Sequence, residues 1–434
     1  MSTTHRTRSR AVPEYVELHC HSAFSFLDGA SSPSEIASRA AELGHTAIAL
    51  TDHDGLSGSL EFAHAARALG VQPITGAEVT LEDGSHLTLL VRDRTGYSNL
   101  CRLLTIAQAD TRPPPDRRAL PPSLPRRSLA EHTDGLVCLT GCPTQGLISR
   151  RVIAGDGQGA LEELGHLIAD FGRENVYVEL QHSRSRGDRR LTSDLIHLAG
   201  KVGVRAVATG NVHAHHPRRA VLQDAFVAIS ERQTLDGSEA ARRGNRDSVL
   251  RSPAEMAARH TDHPEAVAET VRLAERLEFD LTRDLGYRFP DFVGSHPGRS
   301  AQGALSALCT YQLGARYPNA LRRAEARTRL DEELRLIEHH GLAGFFLLHR
   351  DLLELAREVA FEVRPAGSAR RWLPPGRGRG SSVGSIVCYL TGLSHVDPVS
   401  NDLFLGRFLN EDTASVPDID LDFPRDIRKR LIEE

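Results

Sequence analysis

Apolar and polar positions alternate in two registers along the first half of the chain. Runs with strand character at residues 46–51, 72–81, 86–93, 136–140, 176–181 and 205–209 are separated by stretches of helical period near 57–69, 97–109, 160–171 and 188–201. Ser32-Pro33-Ser34-Glu35 reads as a capping box with proline at the first helical position, and Gly44 as the stop that follows. Repeated β-α units of this kind predict an α/β fold with a parallel sheet, and their number favours a barrel. Residues 111–128 interrupt the rhythm with six prolines and five arginines, the composition of a surface loop. From about residue 221 the pattern turns mostly helical, and a domain boundary is expected near 280. Beyond it, long amphipathic helices are predicted near 301–317 and 322–340, then a Gly344-Phe345-Phe346-Leu347-Leu348 segment and a helix over 351–359. No internal repeat is evident.

At 434 residues the chain is long enough for two or three domains, each with its own core. No run approaches the ~18 apolar residues of a membrane helix, and residues 1–13 read as a disordered tail without the apolar core of a signal peptide. Six cysteines without paired zinc-finger spacing fit a reducing compartment, which points to a cytoplasmic protein. Of the 53 basic residues only Lys201 and Lys429 are lysine, so arginine abundance alone does not mark a nucleic-acid footprint. With a formal net charge of -4, phosphate contacts are expected at local clusters such as Arg370, Arg371, Arg377 and Arg379.

Chemistry gathers at both ends. Near the C-terminus, Pro417-Asp418-Ile419-Asp420-Leu421-Asp422-Phe423 places carboxylates at every second position, and on a strand they share one face. Like charges that close call for a cation, and one or two Mg²⁺ ions held through carboxylate oxygens would suit phosphoryl chemistry. An acidic edge strand in water shows the same alternation. About forty residues upstream, Gly376-Arg377-Gly378-Arg379-Gly380-Ser381-Ser382-Val383-Gly384-Ser385 opens into the apolar run 386–390. A glycine-rich turn ahead of a helix leaves N–H groups that bind phosphate, although a flexible loop has the same composition. The absence of a Gly-Lys-Ser/Thr ending disfavours a P-loop ATPase.

At the front, His19-Cys20-His21, Thr51-Asp52-His53, Gly76-Ala77-Glu78, His86, Cys142 and Asn211-Val212-His213 lie at or near predicted strand ends, with Asp28 in a turn after the first. In a parallel barrel those ends converge on one mouth, and imidazole, thiolate and carboxylate together suit Zn²⁺ or a similar transition metal such as Mn²⁺. Any one of these histidines, taken singly, also fits a hydrogen-bonded core residue.

The stretch 378–385, Asp397-Pro398, Arg407-Phe408-Leu409-Asn410 and 417–423, in that order and spacing, resembles the palm of bacterial C-family DNA polymerases, the DNA polymerase III alpha subunits and their error-prone relatives. The front block is similar to the polymerase and histidinol phosphatase (PHP) domain that begins those enzymes. The resemblance implies a PHP-type (β/α)7 barrel over 14–280 and the first segment of a palm over 281–434. It implies Asp418 and Asp420 as metal-binding catalytic acids with Asp422 beside them, and Arg379, Gly380, Ser381, Ser382 and Ser385 lining the nucleotide phosphates. It also implies His19, His21, Asp28, His53, Glu78, His86, Cys142, Asn211 and His213 as PHP metal positions. Asn211 departs from the pattern, standing where metal-binding members have aspartate. DNA primer-template and deoxynucleoside triphosphates would be the partners, with other replication or translesion-synthesis proteins. Residues 424–434 begin a helix without a stop signal, so the chain reads as cut before a third catalytic aspartate and as unable to extend primers by itself. A PHP-type phosphoesterase or 3'-exonuclease, or a replication scaffold without catalysis, are the other readings. The wording of residues 51–56 and 210–213 leans to the error-prone branch.

Overall fold

In the computed structural model, residues 14–112, 120–286, 300–372, 376–406, 408–410 and 417–434 are described. The expected N-terminal tail, Arg407 and the middle of the Pro/Arg loop lie outside them. Two compact units divide the chain, Met1–Gly286 and Tyr287–Glu434.

The first unit is built on six strands in sequential order, β1 (Ala47–Leu50), β2 (Gln72–Thr80), β3 (His86–Val91), β4 (Leu136–Leu139), β5 (Val176–Gln181) and β6 (Arg205–Thr209). The extended stretch before β1 closes the ring. Glu17 bridges Ile48 of β1, and Cys20 bridges Val212 just beyond β6, so the sheet curls into a seven-staved barrel. The expectation of a parallel sheet throughout needs correction at β3, which runs antiparallel to both neighbours. Only residues 81–85 join β2 to β3, too few for the crossover helix that a parallel return requires.

Burial follows from this curl. Val16, Leu18, Ala49, Ile74, Leu90, Leu139, Tyr177 and Val207 form an apolar cluster drawn from every stave, joined by Leu273 at the end of the helix Pro264–Ala274 and Leu277 just after it. A second layer packs the strands against surrounding helices, including Leu164 and Leu167 of Gly157–Phe171 and Leu195 and Leu198 of Asp188–Val202. The helix Pro33–Glu42 starts at the expected capping box, Ser32 and Glu35 each bonding the other's backbone N–H. Ile36, Ala37 and Ala40 on its inner face lie against Ile48 and Leu50.

The second unit is mainly helical. Ala301–Arg316, Ala320–His339 and Ala343–Val363 bury Leu305, Cys309, Leu330, Ile337 and Phe346 with Ile386, Val387 and Ile419. The segment 344–348 and the helix 351–359 expected as separate pieces are one helix. Gly344 falls in its first turn, and nothing breaks the period until Pro365 forces the preceding residue out of the helical region. A short ribbon of β7 (Arg377–Arg379) and β8 (Asp420–Asp422) completes this unit, followed by the helix Arg425–Glu433.

Candidate functional site

Strand direction assembles the first cluster. Staves running the same way bring residues from their C-terminal ends to one mouth, and because β3 is reversed its first residue, His86, arrives there too. Glu78 is the hub. Its Oε2 accepts from His19 Nε2 at 2.7 Å and lies 3.2 Å from His21 Nε2, while its Oε1 accepts from His86 Nδ1 at 2.7 Å. His21 stacks between His53 and His213, with ring centroids at 4.5 and 4.4 Å. Three overlapping groups have donor atoms close enough to share an ion: His21, His53 and His213; His19, His21 and Glu78; and His53, Glu78 and His86. Nitrogen and carboxylate donors at this spacing, with the Cys142 thiol beside His86, are of the kinds that hold a metal ion.

Electrostatics at the mouth are dominated by burial. Desolvation would lower His19, but Glu179 and Glu78 on either side outweigh it and hold its pKa well above the ordinary value. His21, buried and crowded by His213 and His53, is pushed well down and stays neutral. Burial also opposes the charged forms of His86 and Cys142. Their mutual bond, helped by Glu78, raises His86 to about 10, and the same bond, with those from Thr144 and the Gln145 N–H, brings the thiol below its usual value against the pull of Glu78.

A second layer was not legible in the sequence. Glu179 accepts from His19 Nδ1 at 2.6 Å, from Gln181 Nε2 at 2.7 Å and from Thr209 Oγ1 at 2.5 Å. Asp52 ties the loop after His21 to the end of β1, accepting from the Ser22 backbone N–H and from the Ser22 and Ser25 hydroxyls at 2.6–2.7 Å. Such groups fix the orientation of the inner imidazoles. A signal existed for Glu179, a lone acid in a strand buried at all six positions.

Asp28, Asn211 and His213 form one corner. His213 Nδ1 donates to the Asn211 carbonyl at 2.8 Å, and Asp28 Oδ2 lies 2.9 Å from His213 Nε2 and 3.3 Å from His53 Nε2. Asn211 has φ +46°, a left-handed conformation that asparagine tolerates better than most residues. Its side-chain oxygen is buried without a protein donor among the described residues. Arg243, which no sequence pattern singles out, reaches into this corner.

In the second unit, β7 and β8 pair antiparallel with Arg379 opposite Asp420 and Gly378 opposite Leu421. Ile419 is buried, with Leu421 and Phe423 packed on the same core, whereas Asp418, Asp420 and Asp422 face solvent. Arg379 forms an ion pair with Asp422. Gly380 turns the chain at φ +68°, and a β-carbon there would come 3.8 Å from Asp420 Oδ2. Gly380 and Ser381 are exposed, but Ser382 and Ser385 are fully buried. The Ser382 hydroxyl donates to the Arg379 carbonyl at 2.7 Å. The Ser385 hydroxyl donates to Glu333 and accepts the Cys388 N–H at 2.9 Å.

Glu333 also takes the N–H groups of Ile386 and Val387, at 2.9 and 3.3 Å. The helix Ile386–Thr391, expected to present free N–H groups to phosphate, is therefore capped from within by a carboxylate that burial raises to about 7 despite its three donors. The three acids form no donor group as tight as those of the barrel among the described residues.

Residues 17–183 match the PHP domain family, and residues 303–434 match the family described as the bacterial DNA polymerase III alpha NTPase domain. The chain is 35% identical over 430 residues to an error-prone DNA polymerase of Symbiobacterium thermophilum, covering 96% of this chain and 37% of that one. It is 36% identical over 440 residues to that of Cutibacterium acnes, covering 99% and 37%, and 34% identical over 439 residues to that of Mycobacterium tuberculosis, covering 99% and 38%. The chain thus spans little more than a third of the length of these relatives. A solved amidohydrolase from Chromobacterium violaceum aligns with 46% of this chain and 88% of its own, at 19% identity and a TM-score of 0.33.

Proposed function

We propose that the chain, whose residues 17–183 match the PHP domain family and 303–434 the bacterial DNA polymerase III alpha family, forms part of an error-prone, template-directed DNA polymerase. The reaction is attack of a primer 3'-hydroxyl on the α-phosphorus of a deoxynucleoside triphosphate, with pyrophosphate leaving. Asp418 and Asp420 would hold the catalytic cations, with Asp422 on the same face. Magnesium bound there supplies charge neutralisation of the triphosphate and a more acidic primer hydroxyl. Arg379, Gly380 and Ser381 face the phosphates. Ser382 and Ser385, with hydroxyls committed inward, shape the turn that presents them.

One observation carries this reading, the β7–β8 register that sets the arginine-glycine turn beside the acidic strand. The direct test is primer extension by the full-length parent carrying Asp418→Asn or Asp420→Asn. A fall of at least about 10²–10³-fold is expected, the scale for loss of preorganised transition-state stabilisation. An unchanged rate in both variants would overturn it. The 434-residue chain alone is expected to give no template-dependent incorporation. Primer-template DNA and deoxynucleoside triphosphates are its partners, other replication or translesion-synthesis proteins join them, and the cytoplasm is its place of work. No helix among the described residues is long and apolar enough to cross a membrane.

The buried donor cluster favours a second activity, metal-dependent hydrolysis of a phosphodiester, such as removal of a 3'-terminal nucleotide. His19, His21, His53, Glu78, His86 and Cys142 would hold a Zn²⁺ or Mn²⁺ ion there, with Asp28, Asn211 and His213 alongside. Release of nucleotides from a 3'-labelled oligonucleotide in Mn²⁺, lost in Glu78→Ala, tests it. No release from the wild-type protein leaves the cluster a structural metal site.

A further inference from the structure

The donor cluster is not uniform, and its two ends differ in what neutralises them. At one end, the bonded partners of Glu78 and Glu179 are imidazoles, amides and hydroxyls, and no arginine or lysine among the described residues reaches either carboxylate. At the other end a Nη2 atom of Arg243 lies 2.6 Å from His213 Nε2 and 3.2 Å from Asp28 Oδ1. We propose that Arg243 is a built-in cation that fills the Asp28–His213 corner and keeps a metal ion out of it, confining metal to the side of His19, His53, Glu78 and His86.

Hydrogen-bond chemistry supports the assignment. His213 gives its Nδ1 proton to the Asn211 carbonyl, so Nε2 carries the lone pair that a metal would take. Arginine has only donors and keeps its charge, so Arg243 donates to that lone pair and to the Asp28 carboxylate together. It thereby accounts for a neutral imidazole nitrogen and a carboxylate oxygen lying 2.9 Å apart, an approach of two acceptors that needs a positive group beside them. Gln223 adds a second donor at 3.2 Å to Asp28 Oδ1, the carboxylate oxygen that Arg243 contacts.

Charge balance agrees. With Asn211 neutral, Asp28 is the one acid at this corner, and one guanidinium offsets it. A divalent ion there would meet an occupied lone pair and a positive neighbour.

The inference rests on the metal reading of the cluster, so the test separates the two. Mn²⁺ equivalents per 434-residue chain are measured by elemental analysis after equilibrium dialysis for the wild type, Arg243→Gln, Arg243→Lys and Glu78→Ala. Arg243→Gln is expected to gain one equivalent over the wild type, Arg243→Lys to match it, and Glu78→Ala to lose bound metal. Equal, non-zero counts in the wild type and Arg243→Gln would sink the Arg243 assignment and leave the metal site standing. A wild type that binds none sinks the metal site and the assignment with it. Should Arg243→Gln not fold, His213→Asn takes its place: a count unchanged from the wild type supports exclusion of metal from this corner, and one equivalent fewer overturns it.

Discussion

The barrel mouth and the β7–β8 ribbon both gather acids, in opposite settings. Glu78 and Glu179 are buried among imidazoles, where each charge is held by a specific partner. Asp420 and Asp422 stand on an apolar-backed strand, with Asp418 just before it, and all three are exposed to water. Buried donors are preorganised at a high cost in desolvation, so their site exists before any ligand arrives. Exposed acids cost little and, on the function proposed above, need a substrate to complete them, which makes the first region a finished site and the second half of one.

The contrast breaks most readily at Glu78. Its replacement by alanine strands His19, His21 and His86 without their common acceptor, and denaturant unfolding of the first unit is expected to show a loss of about 3–5 kcal/mol, the range for breaking a buried charge pair. Asp420→Asn, by comparison, should leave unfolding within about 0.5 kcal/mol of the wild type while removing polymerase activity from the parent. Comparable destabilisation by both changes would erase the distinction.

Glu333 sharpens it through pH. Its folded-state pKa of about 7 lies above the ordinary 4.5, so the folded protein holds this proton longer than the unfolded chain. The favourable contribution is present below pH 4.5 and disappears as pH rises through 7, an effect on the order of 3 kcal/mol. Glu333→Gln cannot titrate. The wild-type minus variant difference in Tm should therefore fall between pH 4.5 and about 7, and a flat difference would contradict a protonated carboxyl in this cap.

Smaller effects follow from the turn. Ser385→Ala removes the N-cap of Ile386–Thr391 and a donor to Glu333, with an expected cost of about 1–2 kcal/mol in thermal unfolding. Asp422→Ala breaks a half-exposed pair with Arg379 and should cost less than about 1 kcal/mol, diminishing with salt.

Local signals in the chain carried much of the fold. The capping box at Ser32, the strands 176–181 and 205–209, and the acid-apolar alternation from 417 to 423 depend on neighbours in sequence and were legible there. Convergence of His19, His53 and Glu78 was legible too, since C-terminal strand ends in a barrel share a mouth, whereas His86 joins them only through the reversal of β3. Three features were not, each for a physical reason. The reversal of β3 is set by a five-residue connection, whose length outweighs the β-α rhythm around it. Glu333 caps a helix beginning 53 residues downstream, and Arg243 meets an imidazole 30 residues away. Such pairings arise from tertiary placement, with no local pattern to announce them. The inward commitment of Ser382 and Ser385 belongs with these, because composition does not tell a hydroxyl that meets a ligand from one that closes its own turn.

The difference between a finished and an unfinished site is tested most directly by Mn²⁺ titration of the 434-residue chain without nucleotide, followed by electron paramagnetic resonance. Tight binding is expected in the wild type and in the Asp418→Asn, Asp420→Asn double variant, and is expected to vanish in Glu78→Ala. Tight binding that survives Glu78→Ala but disappears in the double aspartate variant would contradict the assignment of the preformed site to the barrel.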